Sequence, residues 1–150
     1  MTELPANAVK GWHHAALSVP DLDRAIDWYG RILGFSVEKR WEIPAARAQV
    51  AYLTNGEMRL EVFEVENAAQ LPLERSNPRE DLQTHGHKHF AFSIVNYDAV
   101  KAAVIANEIE IQLEVGQIFG RAFFIQDCFG NPLEFVEVSE DYSPYRTGRT

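Results

Sequence analysis

The chain has 150 residues, suited to one domain, and its 46% apolar and 24% charged side chains are those of an ordinary globule. A formal charge of −8, from 14 Lys and Arg against 22 Asp and Glu, excludes wrapping of nucleic acid, and no basic run marks an anionic membrane surface. The single cysteine, Cys128, rules out an internal disulfide, and no segment has the length of a signal peptide or a bilayer span, so a cytoplasmic protein is expected.

In chain order, residues 12–19 alternate as a strand, and Asp21 or Asp23 stands ready to cap a helix over 23–33. Ala25, Ile26, Tyr29, Ile32 and Leu33 form the stripe of that helix, and Gly34 ends it. Strands follow near 36–42, 47–54 and 58–65, the last two joined at the hairpin signal Asn55-Gly56. Residues 66–86, punctuated by Pro72, Asn77-Pro78 and Gly86, read as a linker with one helical turn. A strand over 88–95, a helix over 98–107 and strands near 110–115, 121–127 and 132–138 complete the order, with a turn over 128–131. The tail, 139–150, is expected to be mobile or docked on a partner.

This order is a repeat. HAALSVPDLD (14–23) aligns with HFAFSIVNYD (89–98) at an offset of 75, with identity at His14/His89, Ala16/Ala91, Ser18/Ser93 and Asp23/Asp98. LEVFEV (60–65) aligns with LEFVEV (133–138) at an offset of 73. Two collinear matches imply a duplicated β-α-β-β-β unit: module 1 at about 11–65 and module 2 at about 87–138 of a single α+β domain.

Strand alternation then sorts the faces. His14 goes with Trp12, Ala16 and Ser18, opposite Ala15, Leu17 and Val19; His89 goes with Ala91 and Ser93, opposite Phe90, Phe92 and Ile94. Glu61 shares a face with Arg59 and Phe63, and Glu134 with Pro132 and Val136. Glu64 and Glu137 fall on the opposite parity and are expected to reach solvent. A lone strand histidine is usually structural, and a lone mid-strand glutamate usually pairs with a cation, as Arg59 could do for Glu61. The same exception at equivalent places in both halves points instead to a His₂Glu₂ site for a divalent metal.

HHAALSVPDLDRAIDWYGRILGF, GHKHFAFSIVNYDAV and FFIQDCFGNPLEFVEV resemble the vicinal oxygen chelate superfamily, the glyoxalase/bleomycin-resistance/extradiol-dioxygenase proteins, over about residues 11–138. The resemblance implies two βαβββ modules whose mixed sheets form an open cup, ligands at His14, Glu61, His89 and Glu134, and a divalent ion (Zn, Ni, Fe, Co or Mn) that stabilises an enolate or enediolate. It further implies Glu61 and Glu134 as proton-transfer groups, a small-molecule substrate and a homodimer. Glutathione-using members place an arginine at the position of Ser18 and an asparagine at that of Val65, so the resemblance is to glyoxalase-like lyases and isomerases without that thiol signature. Extradiol dioxygenases, the second comparison, need two His and one Glu, here His14, His89 and Glu134. They also need a tyrosine about where Phe124 stands, and His85 or His87 would serve as their acid or base. Metal-free binding and resistance proteins are the third. Trp12, Phe63, Trp41, Tyr52 and Phe119 are candidates for an aromatic pocket wall. Arg59 and Arg121 are candidates to hold an anionic substrate group or to form ion pairs.

Overall fold

The computed structural model describes residues 4–6, 8–116 and 120–143. Two compact units divide at Ala68 and Ala69, and each carries one four-stranded mixed sheet. In the first unit, β1 (Ala15–Val19), α1 (Leu22–Leu33), β2 (Ser36–Ile43), β3 (Ala48–Asn55) and β4 (Met58–Val65) give the sheet order β1-β4-β3-β2. In the second, two short helices, α2 (Leu73–Ser76) and α3 (Pro78–Asp81), precede β5 (Phe90–Ile94), α4 (Tyr97–Ala106), β6 (Leu113–Val115), β7 (Ala122–Gln126) and β8 (Pro132–Glu137). The second sheet has the order β5-β8-β7-β6, so the expected β-α-β-β-β duplication is present. Both first strands pair in parallel with the last strand of their own module, and in the same register: Ala16 faces Glu61, and Ala91 faces Glu134.

Local chemistry explains the boundaries. Asp21 caps α1, its Oδ1 accepting from the Arg24 N–H at 2.9 Å. At the other end Gly34 adopts φ 70, and the N–H groups of Gly34 and Phe35 return to the carbonyls of Gly30 and Tyr29. The hairpin loop between β3 and β4 is Gly56-Glu57, not Asn55-Gly56, because Asn55 pairs with Met58. Gly56 takes φ 58 at the first central position, where a side chain would be strained. Asn55 is thereby free to donate from Nδ2 to the Leu33 carbonyl at 2.8 Å, closing the helix end. A single 3-10 turn, Pro44–Ala46, separates β2 from β3.

The cores differ in material. Module 1 buries Leu17, Val19, Leu53, Leu60 and Val62 under an α1 stripe centred on Leu22, Ala25, Trp28 and Tyr29. That stripe is rotated from the expected one, since Ile26, Ile32 and Leu33 are only half-buried. Module 2 is built on rings. Phe123 stacks on Phe135 at 5.0 Å and 8°, and Tyr97 meets the edge of Phe123 at 5.3 Å.

Residues 69–88 belong to the second unit. Asp81 is 2% exposed, and its Oδ1 lies 2.7 Å from Arg75 Nε and 3.6 Å from Lys88 Nζ. Neither contact is a well-directed hydrogen bond, so the buried charge is held by these two cations. Lys88 also donates to the carbonyls of Asp81 and Thr84, and Arg75 donates to that of His87. The segment leading into β5 is therefore pinned by charge.

Candidate functional site

His14 stands just ahead of β1, and its Nε2 lies 3.1 Å from Glu61 Oε2 across the parallel β1–β4 pair. A chain of side chains sets its tautomer. Glu38 receives two bonds from Arg59, Nε to Oε2 and Nη2 to Oε1, both 2.8 Å. Arg59 has only donors, so His13 Nε2, 3.1 Å from Arg59 Nη1, accepts. A neutral His13 then carries its proton on Nδ1 and donates to His14 Nδ1 at 2.7 Å, which leaves the His14 proton on Nε2, facing Glu61. Tyr52 stands directly opposite Glu61 on β3. Its ring packs on Trp41 (4.8 Å) and His14 (5.5 Å) and lies under the Arg59 guanidinium (5.3 Å). Burial foremost, and then the Glu61 charge, push the Tyr52 phenol up against the opposing pull of Arg59.

Module 2 repeats the pair and little else. His89 stands just ahead of β5, with Nε2 3.0 Å from Glu134 Oε2. The residue opposite Glu134 is Phe124, whose ring lies edge-on to His89 at 4.9 Å and 86°. The two pairs are similarly covered, the histidines 29% and 27% exposed and the glutamates 15% and 18%.

The second glutamate of each six-residue motif does not simply reach solvent, as its parity suggested. Glu64 Oε2 accepts from the Leu22 N–H at 2.7 Å, at the first turn of α1. Glu137 Oε1 accepts from the Tyr97 N–H at 3.4 Å, at the first turn of α4. Each carboxylate thus closes a helix N-terminus of its own module, where the helix dipole favours negative charge. Arg121 completes this arrangement in module 2. It bonds Glu137 through Nε (2.9 Å) and Nη2 (3.0 Å) and Asp98 through Nη1 (3.0 Å), and it stacks over Tyr97 at 4.2 Å. The Arg121 hydrogen bonds hold the Glu137 carboxyl below its usual range. In module 1 the residue opposite Glu64 is Gln49, so that carboxylate has no such cation across the strand pair.

The remaining expectations fall as follows. Arg59 and Arg121 are engaged in ion pairs with Glu38 and with Glu137 and Asp98, respectively. Phe63 is half-buried on the Glu61 face, opposite Val50. Trp12 precedes β1 and is 92% exposed. Phe119 lies outside the described residues. His85 and His87 are exposed and precede β5, which starts at Phe90, so they do not share a strand face with His89. His13 was not singled out from sequence, although the His-His dipeptide is its signal.

The donor set fits a divalent cation. Metal bonds of about 2.1 Å to nitrogen and oxygen put two donors at right angles about 3.0 Å apart, the spacing in both pairs. The same spacing is that of a hydrogen bond between imidazole and carboxylate. Among the described residues no three His, Cys, Asp or Glu side chains are gathered closely enough to hold a metal ion.

A model of the Glyoxalase/Bleomycin resistance protein/Dioxygenase superfamily matches residues 11–135, and the chain belongs to that superfamily. It is similar to a lactoylglutathione lyase of Haemophilus influenzae, 30% identical over 129 residues, which are 83% of this chain and 90% of the relative. Among solved structures it is similar to a glyoxalase family protein from Enterococcus faecalis, at 26% identity and a TM-score of 0.72, covering 85% of this chain and 98% of that one. The trypanothione-dependent glyoxalase I of Leishmania major shares the fold at 20% identity and a TM-score of 0.67, with 86% of this chain and 87% of that one covered. Among the described residues no helix is long and apolar enough to cross a membrane.

Proposed function

We propose that this superfamily member is a divalent-metal-dependent enzyme of the glyoxalase-like lyase or isomerase type. In this reading His14, Glu61, His89 and Glu134 hold the ion, and the substrate is a small oxygenated compound. The observation that carries it is the His Nε2–Glu Oε2 pair, made twice, at the same register and with the donor spacing a cation requires. The likeness to a lactoylglutathione lyase supports the reaction class.

Bound by these atoms, a divalent cation supplies Lewis acidity toward two neighbouring substrate oxygens. The chain's own residues do the rest. His14 and His89 would present Nε2 to the ion, His14 with its Nδ1 against His13 and His89 with its ring against the edge of Phe124. A glutamate Oε2 would take the proton from the carbon that bears the hydroxyl beside a carbonyl and return it to the carbonyl carbon, while the hydroxyl proton passes to the former carbonyl oxygen, which isomerises a hydroxy-ketone with no net change in atoms. Tyr52, Trp41 and Phe63 in one module and Phe124 in the other provide apolar surface that excludes water from these carboxylates. Ser18 brings no charge to the His14 face, so the reading assigns a small substrate rather than a peptide conjugate. Phe124 has no hydroxyl to offer at the place a ring-cleaving dioxygenase needs one, which favours the isomerase or lyase reading.

Elemental analysis of the purified chain, paired with assays on α-ketoaldehyde thiol adducts under Ni, Co and Zn, tests this. The expected result is stoichiometric divalent metal in the unaltered chain, sharply reduced in His14→Ala, with turnover abolished in Glu61→Gln. A metal-free chain that binds such compounds without converting them would make it a binding protein. Fe(II)-dependent oxygen uptake with catechols, unaffected by Glu61→Gln, would make it a dioxygenase.

A further inference from the structure

We propose that Lys39 is a specificity residue of the module 1 site: it selects substrates that carry a carboxylate at the far end of an aromatic or apolar body, remote from the reacting carbons. The inference rests on the enzyme reading above and names the class of substrate.

Register places Lys39 in the same row as Glu61. Lys39 stands opposite Tyr52 across β2 and β3, and Tyr52 stands opposite Glu61 across β3 and β4. Two strand spacings put the Lys39 backbone about 10 Å from that of Glu61. Rings fill the interval. The Tyr52 ring packs on His14 at 5.5 Å, Trp41 packs on Tyr52 at 4.8 Å, and Lys39 Nζ lies 5.9 Å from the centre of the Trp41 ring. Trp41 is two residues beyond Lys39 on β2, so both side chains leave the strand on the Glu61 face.

The other cation on this face, Arg59, is committed to Glu38 by two bonds of 2.8 Å. No carboxylate of the described residues pairs with Lys39, whose contact is with the Trp41 ring. An ammonium drawn to a ring face keeps its outward hydrogens for an acceptor, and one ammonium balances the single charge of a carboxylate. A ligand with its oxygens at His14 and Glu61 and its body over Tyr52 and Trp41 therefore ends beside a positive charge. Module 2 supplies the contrast. Its row runs from Glu134 through Phe124 to Leu113, so the place of Lys39 is taken by a hydrocarbon. The preference for an anionic end belongs to module 1.

The test is an NMR titration of the isotope-labelled full chain with 4-acetylbenzoate and with acetophenone, which has the same ring and ketone without the carboxylate. The signal followed is the Trp41 indole N–H, assigned with Trp41→Phe. At low salt 4-acetylbenzoate is expected to bind about fivefold more tightly, the upper range for one partly exposed ion pair. That preference should fade in 1 M NaCl, where charges are screened beyond about 3 Å. It should disappear in Lys39→Gln and persist in Lys39→Arg. Equal affinities in the unaltered chain, a preference that survives Lys39→Gln, or binding that leaves the Trp41 signal unmoved would overturn the inference. Turnover of the neutral adduct of phenylglyoxal with 2-mercaptoethanol separates the two readings. Conversion of that adduct by a chain without the carboxylate preference would overturn the inference alone. A chain that prefers 4-acetylbenzoate and converts no adduct would keep Lys39 as a binding residue and overturn the enzyme reading.

Discussion

The two modules carry the same His–Glu pair on differently built supports. In module 1 the His14–Glu61 pair sits beside a polar network of Glu38, Arg59 and His13, with the Tyr52 ring packed on His14 and under Arg59. In module 2 the His89–Glu134 pair rests against Phe124, and the charged network lies instead at the start of α4, around Arg121. The cores follow the same division, aliphatic side chains in the first module and stacked rings in the second. Duplicated units thus keep the atoms that their shared register brings together, and diverge in what surrounds them.

The largest expected effect comes from breaking the ring stack. Phe123→Ala should destabilise module 2 by about 3–5 kcal/mol, since Phe123 is fully buried between Phe135 and Tyr97. All three tryptophans, Trp12, Trp28 and Trp41, lie in the first unit. Tryptophan fluorescence therefore follows module 1, and far-UV circular dichroism follows both. In Phe123→Ala the two urea curves should separate, the dichroism falling first; coincident curves would mean that the modules unfold as one.

A second contrast is acid sensitivity. The Arg121 hydrogen bonds lower the Glu137 carboxyl, and those from Lys101 and Tyr97 lower that of Glu114, both in module 2. A carboxyl lowered in the folded state contributes stability above its unfolded pKa of about 4.3, and loses it as pH falls through the folded value. Module 2 should therefore weaken progressively as the medium is acidified below that range. Arg121→Gln, which copies Gln49 of module 1, should remove the Glu137 share of this stability and move the acid midpoint of module 2 to higher pH. Amide hydrogen exchange, resolved by module across an acid series, reads this directly.

The smallest effect separates the two glutamates of the LEVFEV motif. Glu64→Ala removes the acceptor at the Leu22 N–H and should cost about 1 kcal/mol, seen as a modest shift of the tryptophan-monitored midpoint. Metal affinity should be nearly unchanged. In contrast, Glu61→Ala should sharply weaken metal uptake at little cost to stability. A Glu64→Ala protein that loses metal as strongly as Glu61→Ala would show that the two positions are not divided in this way.

Much of this was legible before any coordinates. His14, Glu61, His89 and Glu134 stood out because a costly residue type recurs at matching positions, and alternation assigned each histidine and glutamate to a common face. The boundary errors have local causes: Asn55 is drawn into the ladder by Met58, and β1 and β5 begin just after their histidines. The ion pairs of the buried Asp81 with Arg75 and Lys88, ahead of β5, have no periodicity to announce them in the sequence.

The sequence by itself determined the duplication, the strand and helix order, and the opposite faces of Glu61 and Glu64, because side-chain alternation along a strand is a local property of the backbone. Only the tertiary structure decided what each glutamate meets. Parallel pairing of β1 with β4 aligns residues more than forty positions apart, and the antiparallel β3–β4 register chooses Tyr52 for Glu61 just as the β7–β8 register chooses Phe124 for Glu134. Such partners are set by strand pairing between distant segments, which no local pattern encodes.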